Sequence, residues 1–254
     1  HVSVKKLAPA CLDLVGGDYD FITFYGRHAM ERNFQRMPVG HGTSKIGSLR
    51  GTSSHQYNPA VILAERETTE DAGACYGMAF VYSGGFQSEA GRDQYSQTRL
   101  LMGLSEEQFS YPLHVGEEFQ SPEVILTYSS AGLGKLSRNF HRCIREHLCR
   151  GKYKEAARPI LLNSWEASYF NFTGESLLAL AKQAAELGIE MFVMDDGWFG
   201  QRDSELRGLG DWKVNEEKLG CSLGELIRKI NDMGLKFGIW IEPEMVNEDS
   251  DLYR

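Results

Sequence analysis

The sequence predicts a multidomain chain of β and α/β type, an antiparallel β-sandwich followed by alternating β/α units with parallel strands. Two patterns predict it. From about residue 11 to about residue 130, short extended runs recur with glycine, proline and polar clusters between them, which is the spacing of an antiparallel sandwich. From Arg158 onward strand and helix patterns alternate with short returns, which implies parallel strands joined by crossovers. A third observation locates the polar end of the second part. Met191-Phe192-Val193-Met194 is apolar enough for a buried strand, yet it runs straight into Asp195-Asp196-Gly197-Trp198. Carboxylates that close to a core strand belong where it emerges at a polar mouth, at its C-terminal end.

In the first part, strands are expected at Phe21-Ile22-Thr23-Phe24-Tyr25, Ala60-Val61-Ile62-Leu63-Ala64, Gly77-Met78-Ala79-Phe80-Val81-Tyr82 and Val124-Ile125-Leu126-Thr127-Tyr128. The period then changes. Leu133 to Cys149 reads as a helix with Leu136, Phe140, Cys143 and Ile144 along one side, stopped by Gly151 and expected to bridge two domains. Ile160 to Trp165 is the first strand of the second part. Thr173 then caps a helix whose apolar face is Leu177, Leu180, Ala181, Ala184 and Leu187, and Gly188 closes it. After the double-acid strand, a capping box, Ser222-Leu223-Gly224-Glu225, opens a helix running through Leu226, Ile227, Ile230 and Met233 to Gly234. Leu235 to Glu242 is the third strand. These units fit an open doubly wound sheet and a closed (β/α)8 barrel equally well. The polar stretch from Phe199 to Gly220, containing Gly210-Asp211-Trp212, is a long loop on the ligand-binding side. Trp212 either closes over a ligand or anchors the loop to its own scaffold.

The 254 residues carry 27 Lys and Arg against 35 Asp and Glu, a formal net charge of −8. That balance offers no basic footprint for nucleic acid or an anionic membrane surface, and no apolar run approaches membrane-spanning length. Neither nucleic acid nor a membrane is an expected partner. The five cysteines (Cys11, Cys75, Cys143, Cys149, Cys221) are odd in number and lack metal-ligand spacing, as do the seven histidines. No metal or cofactor is expected, and reduced thiols fit a cytoplasmic location. The chain begins at His1 without Met and ends at Arg254 without terminal punctuation, so it is expected to be a segment of a longer protein.

Three strand ends deliver acids and indoles in succession: Trp165 and Glu166, then Asp195, Asp196 and Trp198, then Trp240, Glu242 and Glu244. Carboxylates accept from neighbouring hydroxyls while an aromatic face covers C–H surface, a combination that suits a sugar. Asp195 and Asp196 are therefore candidate hydroxyl acceptors; in a structural role they would cap loop amides or pair with a lysine or arginine. Trp165 and Trp240 are candidate stacking residues, or else rim packing. Consecutive side chains diverge on a strand, so the double acid suits binding better than the opposed roles of glycosidic cleavage. Those roles need carboxyls about 5–5.5 Å apart for retention or about 6.5–9.5 Å for inversion. Glu242 and Glu244, at i and i+2 and about 6.6 Å apart at strand rise, are the tempting couple. Pro243 interrupts the strand between them, which leaves hydrogen-bonding support as their alternative role.

Four motifs carry a resemblance: Arg158-Pro159-Ile160-Leu161-Leu162-Asn163-Ser164-Trp165-Glu166-Ala167, Asp195-Asp196-Gly197-Trp198-Phe199-Gly200, Gly210-Asp211-Trp212, and Phe237-Gly238-Ile239-Trp240-Ile241-Glu242-Pro243-Glu244-Met245-Val246. In this order and spacing they resemble family 36 α-galactosidases of the bacterial type. Gly26-Arg27 and Arg50-Gly51-Thr52-Ser53-Ser54-His55-Gln56 are similar to that family's N-terminal sandwich. The resemblance favours the closed alternative: an incomplete sandwich over 1–131, a linker helix over 132–157, and the first three β/α units of a (β/α)8 TIM barrel, truncated, over 158–254. It implies a retaining exo-hydrolase that removes terminal α-1,6-linked galactose from melibiose, raffinose and related oligosaccharides. It also implies that Asp195 and Asp196 bind galactose hydroxyls, that Trp165 and Trp240 line the pocket, and that the full-length protein is a tetramer. In that family the nucleophile and the acid/base are aspartates on later barrel strands, so neither is expected in this chain, and the segment alone is expected to be inactive. His28 stands where relatives often carry a tryptophan after Gly-Arg, which makes it a candidate for the outer part of the substrate site. The rivals are a relative that acts on α-N-acetylgalactosamine or transfers galactose, and a non-catalytic carbohydrate-binding protein.

Overall fold

Period-two alternation in the first half of the chain is realised as two antiparallel sheets. The computed structural model describes residues 2–107 and 109–254, so His1 lies outside the described residues, and the chain divides into two units, 1–150 and 151–254. The first unit contains β1 (Val2–Val4), β2 (Ala10–Val15), β3 (Tyr19–Arg27), β4 (Met30–Pro38), β5 (Gly42–Ser48), β6 (Tyr57–Glu65), β7 (Cys75–Val81), β8 (Phe86–Arg92), β9 (Gln97–Leu104), β10 (Tyr111–Leu113) and β11 (Glu123–Ser129). One sheet has the order β11-β7-β6-β3-β4, the other β2-β9-β8-β5, and β1 pairs with β10 as a separate ribbon. Phe21, Leu63 and Met78 from the first sheet meet Phe86, Leu100 and Met102 from the second in a single core, all fully buried. Burying each such side chain contributes about 1.5–3 kcal/mol, so this seam holds the two sheets together. The four strands expected from the sequence coincide with β3, β6, β7 and β11, except that Tyr82 lies one residue beyond β7.

The helix that follows, α1 (Gly132–Cys143), runs into a π-helical stretch, Ile144–Leu148. Its Leu136 is fully buried with Ile22, Ala64 and Cys75, and Leu133 and Phe140 pack beside them. Those partners lie on the outer face of the five-stranded sheet, so the helix expected as a linker covers the sandwich and belongs to the first unit. Gly77 on β7 makes the close approach possible, because a Cβ there would lie 2.5 Å from the Phe140 ring.

The second unit contains β12 (Leu161–Asn163), α2 (Trp165–Ser168), α3 (Gly174–Glu186), β13 (Met191–Met194), α4 (Glu216–Leu219), α5 (Leu223–Asp232) and β14 (Lys236–Ile239). The strands are parallel in the order β12-β13-β14, which puts the double acid after the central one. Thr173 caps α3 reciprocally: its hydroxyl accepts from the Ser176 N–H, and the Ser176 hydroxyl accepts from the Thr173 N–H. Leu177, Ala181 and Ala184 are buried, whereas Leu187, expected on the same face, caps the C-terminus and is 83% exposed. At α5 only half of the expected box forms. Ser222 accepts from the Glu225 N–H, but the Glu225 carboxylate turns to Lys229 at 2.7 Å. Phe192 and Met194 pack with Leu177, Leu226 and Ile230 beneath the helices. Two strands are shorter than the sequence predicts. The first ends at Asn163, where its side chain accepts from the Trp165 N–H and starts a helical turn, and the third ends at Ile239 before Pro243.

Candidate functional site

The double acid emerges from β13 into a hydrogen-bonded polar pocket. Asp195, 8% exposed, donates its N–H to Ser164 Oγ at 3.1 Å; its two carboxylate oxygens accept from Asn163 Nδ2 and from the Asp196 N–H at 2.7 Å. These partners are neutral. Asp196, 5% exposed, has a charged one: Arg202 Nε donates to Oδ1 at 2.9 Å and Nη2 to Oδ2 at 2.7 Å. Adjacent buried carboxylates need a compensating charge, and a two-pronged guanidinium supplies it in the strongest geometry. Arg202 is itself only 4% exposed and lies over the Phe170 ring at 5.5 Å. Sequence reasoning missed it, since a loop arginine six residues from its acid follows no helical or strand spacing. A second cation, Lys218, donates to the Gly197 carbonyl at 2.7 Å and sits 4.2 Å from the Phe172 ring centre. Burial pulls the Lys218 ammonium below its ordinary pKa, against the opposing pull of Asp196 and Asp203.

The indoles divide by role. Trp165 opens α2 rather than ending a strand; it is half-buried and meets Tyr169 and Phe170 edge-on at 5.2 and 5.0 Å. Trp240 directly follows β14, half-buried, and its N–H donates to the Met194 carbonyl at 2.9 Å. The structure thus brings Trp165, Asp195, Asp196 and Trp240 to the C-terminal ends of three adjacent strands. Trp198 is a core residue whose Nε1 donates to the Trp240 carbonyl at 2.8 Å, tying the ends of β13 and β14 together. Trp212 packs on Phe199 at 4.5 Å, which makes it the anchor of its loop. The same loop is latched to the segment after β14. Asn247 Oδ1 accepts from the Leu209 N–H at 2.9 Å and from Arg202 Nη1 at 3.4 Å, and the Asn247 N–H donates to the Leu209 carbonyl at 3.0 Å.

Glu242 and Glu244 lie beyond β14 in a turn, so the strand spacing that made them a tempting couple does not apply. Glu166 accepts from the Tyr169 hydroxyl at 3.2 Å, which holds that phenol above its ordinary pKa. In the first unit, His28 occupies the β3–β4 turn, 6.4 Å from the His55 ring, which brings together two motifs far apart in sequence. The pairing register shifts between Tyr25 and Arg27, and a Cβ on Gly26 would lie 2.2 Å from the Met30 carbonyl oxygen; only glycine fits this bulge. Among the described residues, no group of three or more His, Cys, Asp or Glu is arranged to hold a metal ion, and no helix is long and apolar enough to cross a membrane.

The chain is similar to known proteins along its whole length. A family model described as the glycosyl hydrolase family 36 N-terminal domain matches residues 1–114, and one described as melibiase matches residues 118–254. The bifunctional α-galactosidase/sucrose kinase AgaSK of Mediterraneibacter gnavus is 64% identical over all of this chain and 27% of its own length. The α-galactosidase Mel36A of Lactobacillus acidophilus is 45% identical over all of this chain and 35% of its own length. The chain thus spans about a third of the length of the curated relatives it matches. The crystal structure of the α-galactosidase AgaA of Geobacillus stearothermophilus, a variant solved in complex with raffinose, superposes with a TM-score of 0.95 at 43% identity, covering 99% of this chain and 35% of that one. These likenesses resolve the alternative that the strand pattern left open, making the parallel strands the first three β/α units of a (β/α)8 barrel behind an antiparallel sandwich. Both halves of the chain match in family order, and from them it follows that the chain belongs to glycosyl hydrolase family 36.

Proposed function

We propose that the protein of which these residues are part is a retaining α-galactosidase that removes terminal α-1,6-linked galactose from melibiose- and raffinose-type oligosaccharides. The observation that carries the reading is the buried pair Asp195 and Asp196 at the mouth of β13, flanked by Trp165 and Trp240 at the ends of the neighbouring strands. A carboxylate has about four lone-pair sites, so Asp195 and Asp196 retain acceptor capacity beyond their protein partners and take galactose hydroxyls. The half-buried indoles offer apolar faces to the C–H side of the ring. His28, expected for the outer part of a substrate site, stands in the β3–β4 turn of the first unit beside the His55 ring. The reading is supported by the relatives: AgaA structures have been solved with raffinose and with stachyose.

The family resemblance implies that the opposed carboxylates that cleave the bond are aspartates outside these 254 residues; the glutamates after β14 lie in a turn rather than on facing strands and are assigned no such role. The full-length protein acts as a tetramer in the cytoplasm, where the five unpaired cysteines would stay reduced. The test is hydrolysis of melibiose and of an aryl α-galactoside by the full-length protein and by the 254-residue chain. Turnover by the former and none by the latter is expected. Preference for the N-acetylgalactosaminide, or a predominance of transfer products, would replace the reading with one of the family alternatives. Turnover by the 254-residue chain that vanishes in Glu242→Gln would make that glutamate catalytic.

A further inference from the structure

Arg202 sits where three segments of the second unit converge. Its Nε and Nη2 hold both oxygens of Asp196 after β13, its Nη1 donates to the Arg207 carbonyl at 2.8 Å, and the same nitrogen reaches Asn247 Oδ1 after β14 at 3.4 Å. Its guanidinium is 4% exposed and lies over the Phe170 ring at 5.5 Å, held by three segments at once. Among the described residues Asp195 has no such clamp: its oxygens accept from the Asn163 amide and the Asp196 backbone N–H. We propose that Arg202 is a positioning residue that acts through Asp196, fixing the direction of its free lone pairs towards the galactose hydroxyl, with Asn247 holding the loop that carries it.

The inference rests on the galactoside-binding reading above and adds a residue to it. A planar fork fixes both carboxylate oxygens in one plane, whereas a lysine ammonium attracts the same charge from a single point and leaves the carboxylate free to rotate. Charge alone is therefore insufficient. Hydroxyl recognition lost in this way weakens substrate and transition state together, so KM should rise more than kcat falls.

The test is made on the full-length protein with an aryl α-galactoside. Arg202→Lys should lower kcat/KM about tenfold, mostly through KM. In an Asp196→Asn background the same substitution should change kcat/KM less than about twofold, since residues acting through one contact are not additive. Adding guanidinium to Arg202→Ala should recover part of the activity, and methylammonium should not. Additive losses in the double variant, or a kcat fall at unchanged KM, would overturn the proposal. If Asp196→Asn or Arg202→Ala does not fold, the KM-against-kcat split in Arg202→Lys decides. Failure of the wild-type protein to act on any α-galactoside would instead overturn the functional reading.

Discussion

Asp195 and Asp196 are neighbours in sequence with partners of different kind, and that difference separates what their replacement should do. Asp196→Asn removes the counter-charge of a 4% exposed guanidinium, and breaking a buried pair from one side costs about 3–5 kcal/mol. Asp195→Asn keeps the shape and sacrifices one accepted bond, about 1 kcal/mol of stability, while weakening transition-state binding by about 1.5–3 kcal/mol. Thermal melting and kcat/KM, measured together on the full-length protein, should show Asp195→Asn as an activity loss on a nearly normal melt and Asp196→Asn as a loss of both. Equal melting losses for the two would remove the distinction. Lys218 gives a pH signature. Its ammonium is disfavoured in the folded state, so the unfolded chain binds more protons between the lowered folded value and 10.5, and stability rises with pH across that interval. Denaturant unfolding followed as the pH is raised towards 10.5 should show the wild type gaining stability relative to Lys218→Met, whatever the other groups contribute to both.

Among the elements, α1 is the one whose partner the sequence could not name. Its apolar stripe, Leu136 and Phe140, is plain from the period, but a stripe does not say which surface receives it; the signal was the small residue on β7 that lets a helix close in. Gly77→Ala should push the Phe140 ring off the sheet and cost about 1–3 kcal/mol, an overpacking effect, with faster hydrogen exchange confined to α1 and β7. An unchanged melt would mean that the ring swings aside freely. Strands and capped helices were legible because alternation and caps are local: β3, β6, β7 and β11 lie where the patterns put them, and Thr173 and Ser222 start their helices. Strand ends were not. Asn163 stops β12 early through a side-chain hydrogen bond and β14 ends at Ile239, so Trp165 enters a helical turn and Glu242 and Glu244 lie beyond the strand. The candidate site was legible in its acids and indoles, which the apolar run and its abrupt ending expose. Arg202 and Asn247 were invisible, because only the folded loops bring Arg202 to Asp196 and Asn247 to Arg202.

At the scale of the whole molecule the two units differ in how completely they bury their sheets. The sandwich closes its sheets on each other and covers an outer face with α1, whereas the second unit covers only one face of its parallel sheet. Leu162, Phe192 and Met194 pack under α3 and α5, while on the opposite face Leu161 is 49% exposed and Met191 and Val193 are half-buried. Parallel sheets are almost always buried on both faces, and in a (β/α)8 barrel that second face is the filled interior. Among the described residues β12 and β14 are moreover edge strands of three and four residues, each paired with β13 on one side. Short strands with an open edge and an exposed apolar face open locally at little cost. In the isolated 254-residue chain, hydrogen exchange should therefore be fast across β12 and β14, slower at β13 and slowest at β3 and β6, and a dye that fluoresces on apolar surface should bind. In the full-length protein the dye signal should disappear and all three parallel strands should become protected. A monomeric 254-residue chain whose β12 and β14 resist exchange as well as β3 does would show that the three-stranded unit is stable without further strands, and the exposed face would then need a different occupant from a barrel interior.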